Sequence, residues 1–168
     1  MEKVEATALI EACGGIGYFR DLSSFGALSD EAITYLLREG EIRKLEQGEY
    51  LSRIGVAANQ FEIVLKGKTA FYRHAQGQDV LTRYFKPGEQ MGFDLMIGLI
   101  EHNGTDVAQE ETLLLGISSK LFYSFHTQYP AEFGVWMINL SRELSREIAL
   151  LEEVISRGTG WDQEEGAQ

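Results

Sequence analysis

The chain has 168 residues, 44% hydrophobic and 24% charged, an ordinary globular balance long enough for one domain with a buried core. Its 15 basic residues stand against 26 acidic ones, and the net charge of −11 lacks the cationic footprint that a nucleic-acid partner needs. No apolar run reaches the ~18 residues of a membrane span, the N-terminal stretch carries acids unlike a secretory signal, and the single cysteine, Cys13, points to a reducing, cytoplasmic setting.

Residues 4–13 predict a helix that Gly14-Gly15 ends, with Phe19, Leu22 and Phe25 following as apolar anchors. Cys13 reads as a small apolar residue of that helix, and Gly14-Gly15-Ile16-Gly17 as its terminus, because the spacing of a nucleotide loop is missing. Ser29 is placed as the N-cap of a second helix. Asp30 and Glu31 favour its first turn, Ile33, Leu36 and Leu37 give it one apolar face, and Gly40 stops it.

From Glu41 the period changes to two. Ile42, Leu45 and Tyr50-Leu51 surround a turn at Glu46-Gln47-Gly48. Phe61, Ile63 and Leu65 alternate with Glu62, Val64 and Lys66 up to a turn at Gly67, and Ala70 to Tyr72 answer as a partner strand. His74 to Gln78 predict a hairpin loop and Val80 to Phe85 the return strand, closed by Pro87-Gly88. A Gly-broken turn from Gly92 to Gly98, a polar knot from Glu101 to Thr105 and a strand from Leu113 to Ile117 complete the region. So many short strands indicate a sandwich or a β-roll.

Ser118 caps a further helix with Leu121, Phe122 and Phe125, and Pro130 opens the last one. There Phe133, Trp136, Met137, Leu140, Leu144, Ile148, Leu151 and Ile155 recur every three or four residues as one apolar stripe. Gly158-Thr159-Gly160 ends the helix, and an acidic tail follows. Helices, then strands, then helices make an α+β chain.

The order of these elements, from Tyr18 to Ile155, resembles the cyclic-nucleotide-binding domain family. Leu22 to Ser29 is similar to the family's opening phrase, Leu45 to Leu51 to its first β-turn, and Phe61 to Gly67 to its central strand. Pro87 to Gly92 looks like the approach to the phosphate-binding cassette, and Ala108 to Ile117 like the strand leaving it. The resemblance implies an antiparallel, eight-stranded β-roll (a jelly roll) over residues 41–117. An N-terminal helical segment (1–40), C-terminal helices (118–157) and a loose acidic tail (158–168) would flank it.

The same resemblance locates the site. In nucleotide-competent members a Phe-Gly-Glu triplet supplies the carboxylate for the ribose 2′-hydroxyl, and an arginine further along pairs with the cyclic phosphate. This chain has Met91-Gly92-Phe93 at the triplet and His102 at the arginine position. Exchanging a guanidinium for a neutral imidazole removes a charge-assisted contact of about 2–3 kcal/mol. With the carboxylate also gone, affinity falls by roughly 100-fold to 10,000-fold. Asp94 and Asp106 add negative charge nearby. The candidate cassette is Gly92, Phe93, Asp94, Leu95, Met96, His102, Asn103, Gly104 and Thr105, degenerate in these two positions. Two routes would restore binding of cAMP or cGMP: a one-residue shift that presents Asp94 to the ribose, or a His102 protonated by neighbouring acids such as Glu101.

Other chemistries find little support. His74, His102 and His126 are isolated, so no metal site is expected, and no Gly-X-Ser-X-Gly elbow marks a nucleophile. The expectation is a regulatory domain without catalysis or cofactor, sensing a ligand or meeting a protein partner. The alternatives are a true sensor with an altered cassette and a structural subunit of a complex. In related transcription activators the long last helix pairs with its twin and feeds a DNA-reading domain. The chain stops soon after the stripe, so no such domain is expected, while a homodimer through Trp136, Met137, Leu140, Leu144, Ile148 and Leu151 is.

Overall fold

The computed structural model describes residues 2–52 and 54–158. A short strand β1 (Glu2–Lys3) precedes helices α1 (Ala6–Ala12) and α2 (Gly17–Arg20), a 3-10 turn (Ser23–Phe25) and helix α3 (Asp30–Glu39). Ser29 caps α3 as the sequence predicts: its Oγ accepts the Ala32 N–H at 3.2 Å, satisfying one of the orphan donors of the first turn.

Next come β2 (Glu41–Leu45), β3 (Gln60–Lys66), β4 (Thr69–Ala75), β5 (Gln78–Phe85) and β6 (Gln90–Met91). Helix α4 (Phe93–Gly98), β7 (Gly104–Ala108) and β8 (Thr112–Ser118) complete the β region. Seven strands therefore lie among the described residues of the β region, where the sequence reading counts eight. Tyr50 makes only an isolated bridge to Val107. The expected loop at His74–Gln78 is also tighter. His74 and Ala75 extend β4, Gln78 starts β5, and Gln76-Gly77 turn the chain with φ of 53° and 78°, the positive pair that suits a two-residue hairpin.

The strands form two antiparallel sheets, one of order β1-β2-β8-β3-β6 and one of order β5-β4-β7. The larger sheet is covered on both faces. Ile42, Phe61, Ile63, Leu65, Leu115 and Ile117 join a core shared with the helices. Leu45, Val64 and Leu114 pack the other way with Phe85, Met91 and Ala108, inside the roll. The β3 alternation is thus real, but both of its faces are buried, and Glu62 points into the roll.

Helix α5 (Ser119–Gln128) is capped by Ser118, whose Oγ accepts the Leu121 N–H at 3.1 Å, and α6 runs from Pro130 to Gly158. The apolar stripe of α6 divides. Trp136 and Leu140 are fully buried, and the Trp136 indole meets Phe61 and Phe125 at ring-centroid distances of 5.8 and 5.1 Å. Met137 and Leu144 pack against the same core. Of the six residues expected to pair two copies, only Ile148 and Leu151, 57% and 44% exposed, remain on the surface. Trp136 and Leu140 therefore anchor the helix to its own domain and do not form an outward face. Of the expected acidic tail, residues 159–168 lie outside the described residues.

Candidate functional site

A cavity of about 440 Å³ opens inside the roll, between the two sheets and beneath α6. Its floor is an ion pair that crosses three strands. Arg43 on β2 and Glu62 on β3 flank β8, where Glu62 is in register with Gly116. A Cβ at Gly116 would come within 3.2 Å of Glu62 Oε2, so the glycine keeps the path between the two side chains open. The Arg43 guanidinium donates to Glu62 Oε1 through this gap, and Gln60 Nε2 donates to the same oxygen at 2.6 Å. Burial nonetheless pushes the Glu62 carboxyl up, with Arg43 opposing. Glu62 Oε2 has no hydrogen-bond partner.

The side wall carries a second buried acid. Ser52 Oγ donates to Asp106 Oδ2 at 2.9 Å and accepts the Asp106 N–H at 3.0 Å, locking the carboxylate in place. The other oxygen, Oδ1, is buried and unpartnered. Burial pushes the Asp106 carboxyl up to about 6; the Ser52 hydrogen bond opposes this, and the nearby Glu62 and Asp94 reinforce it.

The expected cassette residues separate into two groups. Gly92, Asp94, Leu95, His102 and Asn103 line the cavity. Phe93 does not. Its N–H is held by Gln90 Oε1 at 3.0 Å, and its ring is 2% exposed against Phe61 and Phe122, at 5.2 and 5.9 Å. The next residue, Asp94, lines the cavity instead. Met96 is buried in the helix-side core. Gly104 is excluded for a packing reason: a Cβ there would stand 2.4 Å from the Phe71 ring and 2.5 Å from the Tyr72 carbonyl. Thr105 is a β7 residue in register with Tyr72 and is not on the lining.

His102 holds its place through backbone bonds, its N–H to the Val56 carbonyl at 2.9 Å and its own carbonyl to the Gly55 N–H at 2.8 Å. Burial lowers the imidazole below its usual range, and Asp94 only partly offsets this. Burial thus favours the neutral ring and works against the protonation by acidic neighbours that would restore binding.

The roof comes from α6. Glu147, Leu150 and Leu151 reach the lining, and Glu147 Oε2 lies 2.6 Å from Arg83 Nη1 on β5. Arg43, Gln60, Ser52, Arg83 and Glu147 carry no sequence motif. Glu62 is hidden by an alternation that reads as outward, and Asp106 by its place in a half-polar strand.

The sequence profile of the cyclic nucleotide-binding domain matches residues 42–129, more than half of the chain and the whole of this cavity apart from its roof. The chain belongs to the cyclic nucleotide-binding domain family. Solved structures agree on the fold. A cyclic nucleotide-binding domain from Methylobacillus flagellatus superimposes with a TM-score of 0.79 at 17% identity, over 94% of this chain and 89% of that one. The Thermus thermophilus catabolite activator protein gives 0.67 at 24% identity over 80% of this chain, which spans 63% of that protein. The sensor domain of the transcriptional regulator DNR from Pseudomonas aeruginosa gives 0.62 at 20% identity, over 79% and 90%. None of the curated proteins is a significant match for the sequence. Among the described residues no helix is long and apolar enough to cross a membrane.

Proposed function

We propose that this cyclic nucleotide-binding domain is a non-catalytic, cytoplasmic sensor module that binds cAMP and cGMP weakly or not at all. The observation that carries the reading is the wall that would face a cyclic phosphate. His102 stands where the resemblance calls for arginine, its imidazole pKa lowered by burial, and the Asp106 carboxylate is buried beside the same cavity. A phosphodiester stays anionic at any ordinary pH, so it meets repulsion from Asp106 and Asp94 with no charge-assisted donor from His102. Signalling would run through α6, whose Glu147 and Leu151 line the cavity and whose Trp136 is fixed in the core. A ligand that repositions the roof moves the end of this helix and leaves its base in place.

The exposed end of α6 supports a second part of the proposal, a homodimer. Ile148, Leu151 and Ile155 form the surface portion of the stripe, with Val154 exposed next to them, and sedimentation of the Ile148→Glu/Ile155→Glu variant should show monomers where the natural chain should show dimers. A second reading, a true nucleotide sensor of altered geometry, is favoured by one observation: Asp94 occupies the lining in place of Phe93. Calorimetric titration with cAMP and cGMP separates the two. The first reading expects dissociation constants weaker than ~10 μM at about pH 7, improving at least ~10-fold in His102→Arg. Tighter binding by the natural chain establishes the second.

A further inference from the structure

We propose that this cavity takes an organic cation, a small molecule with an apolar body and an ammonium group that reaches Asp106. The inference rests on reading the cavity as a ligand-sensing site and names the chemistry of its ligand. Its basis is the state of the charges around the cavity. Two cations of the lining are engaged inside the protein, Arg43 by Glu62 and Arg83 by Glu147. Arg73 is exposed on β4. Asp106 is 7% exposed and held from one side by Ser52, and its Oδ1 has no hydrogen-bond partner. A buried acceptor without a donor is destabilising, and a ligand that brings an N–H donor relieves this on binding. Glu62 and Asp94 share the lining with Asp106 and add negative charge near it. Among the described residues no three potential metal ligands stand together, which makes an organic donor the better match for Asp106 than a metal ion.

The rest of the lining suits an apolar body. Leu51, Phe71, Leu95 and Leu151 contribute to it, and about 440 Å³ is within the range of ordinary small-molecule sites.

The test uses three probes of one shape and different charge on the whole chain: tryptamine, tryptophol and indole-3-acetate, titrated at about pH 7 with EDTA present. Tryptamine is expected to bind at least ~10-fold tighter than tryptophol, and indole-3-acetate more weakly than either. The amide resonances of Ser52 and Asp106 should shift in saturable fashion with tryptamine. Asp106→Asn, which keeps the shape and an acceptor for Ser52, should bind tryptamine and tryptophol alike. The proposal is overturned if tryptamine shows no binding, no preference over tryptophol, or an unchanged preference in Asp106→Asn. Titration of the same sample with cAMP keeps the two levels apart. Tight cAMP binding defeats the reading above that the domain binds cyclic nucleotides weakly or not at all, whereas weak cAMP binding without an amine preference defeats this inference alone.

Discussion

Replacing Asp106 by asparagine should make the ligand-free domain more stable, although it alters a residue of the cavity lining. The carboxyl is pushed up to about 6 in the folded chain by burial, against about 3.9 for an unfolded aspartate. A raised carboxyl pKa means that the folded state holds the proton more tightly than the unfolded one. Stability therefore falls as pH rises between these two values, and above the window the ionised group destabilises the fold by about 3 kcal/mol. The asparagine side chain carries no charge and can still accept from Ser52, so the variant escapes this penalty. The assay is urea unfolding of both proteins, followed by far-UV circular dichroism from about pH 4 to about pH 7. The variant and the natural chain should be nearly equal at the acid end. At neutral pH the variant should gain up to about 3 kcal/mol, a midpoint shift on the order of 1 M urea. Other carboxyls, among them Glu49 and Glu111, both lowered by hydrogen bonds, are common to both proteins and cancel in the difference. A neutral-pH difference below ~0.5 kcal/mol, or a less stable variant, would refute the assignment of Asp106 as a strained buried acid.

Two further substitutions test the site's construction. Phe93→Glu, which on the resemblance alone restores a ribose-binding carboxylate, should instead put that group into the Phe61–Phe122 core. It should cost at least the 3–5 kcal/mol of a buried aromatic truncation in urea unfolding, without gain of cAMP binding. Arg43→Met should cost about 3–5 kcal/mol because Glu62 keeps its buried charge, while Arg43→Met with Glu62→Leu should recover most of the loss in the same assay.

Local signals in the sequence carry the elements well and the site poorly. Ser29 and Ser118 are followed by helical periodicity, and both act as caps through a side-chain bond spanning three residues. The Phe61-Ile63-Leu65 alternation identifies β3 and its core face, because a strand's two faces are fixed by period two alone. The same alternation misplaces Glu62, since nothing in a strand's own sequence says that a second sheet covers its polar face. The stripe on α6 is equally ambiguous. Its spacing is the same from Trp136 to Ile155, and only tertiary packing determines that the first part is core and the last part surface.

The cavity is harder still. Arg43 and Glu62 are 19 residues apart and Ser52 and Asp106 are 54 apart, so neither pair leaves a spacing that a reader of one sequence can recognise. The cassette resemblance does locate Gly92, Asp94, His102 and Asn103 on the lining. It fails at Phe93, where one step along the chain exchanges a core side chain for a cavity-facing one.

On the proposed reading, this cavity is organised around buried carboxylates and does not clamp a cyclic phosphate. The most direct test of that reading is a nitrogen-15 amide spectrum of the whole chain titrated with cAMP at about pH 7. No saturating shifts are expected at Gly92, Asp94, His102 or Asp106 below ~10 μM ligand. Saturating shifts at those four amides in that range would contradict it.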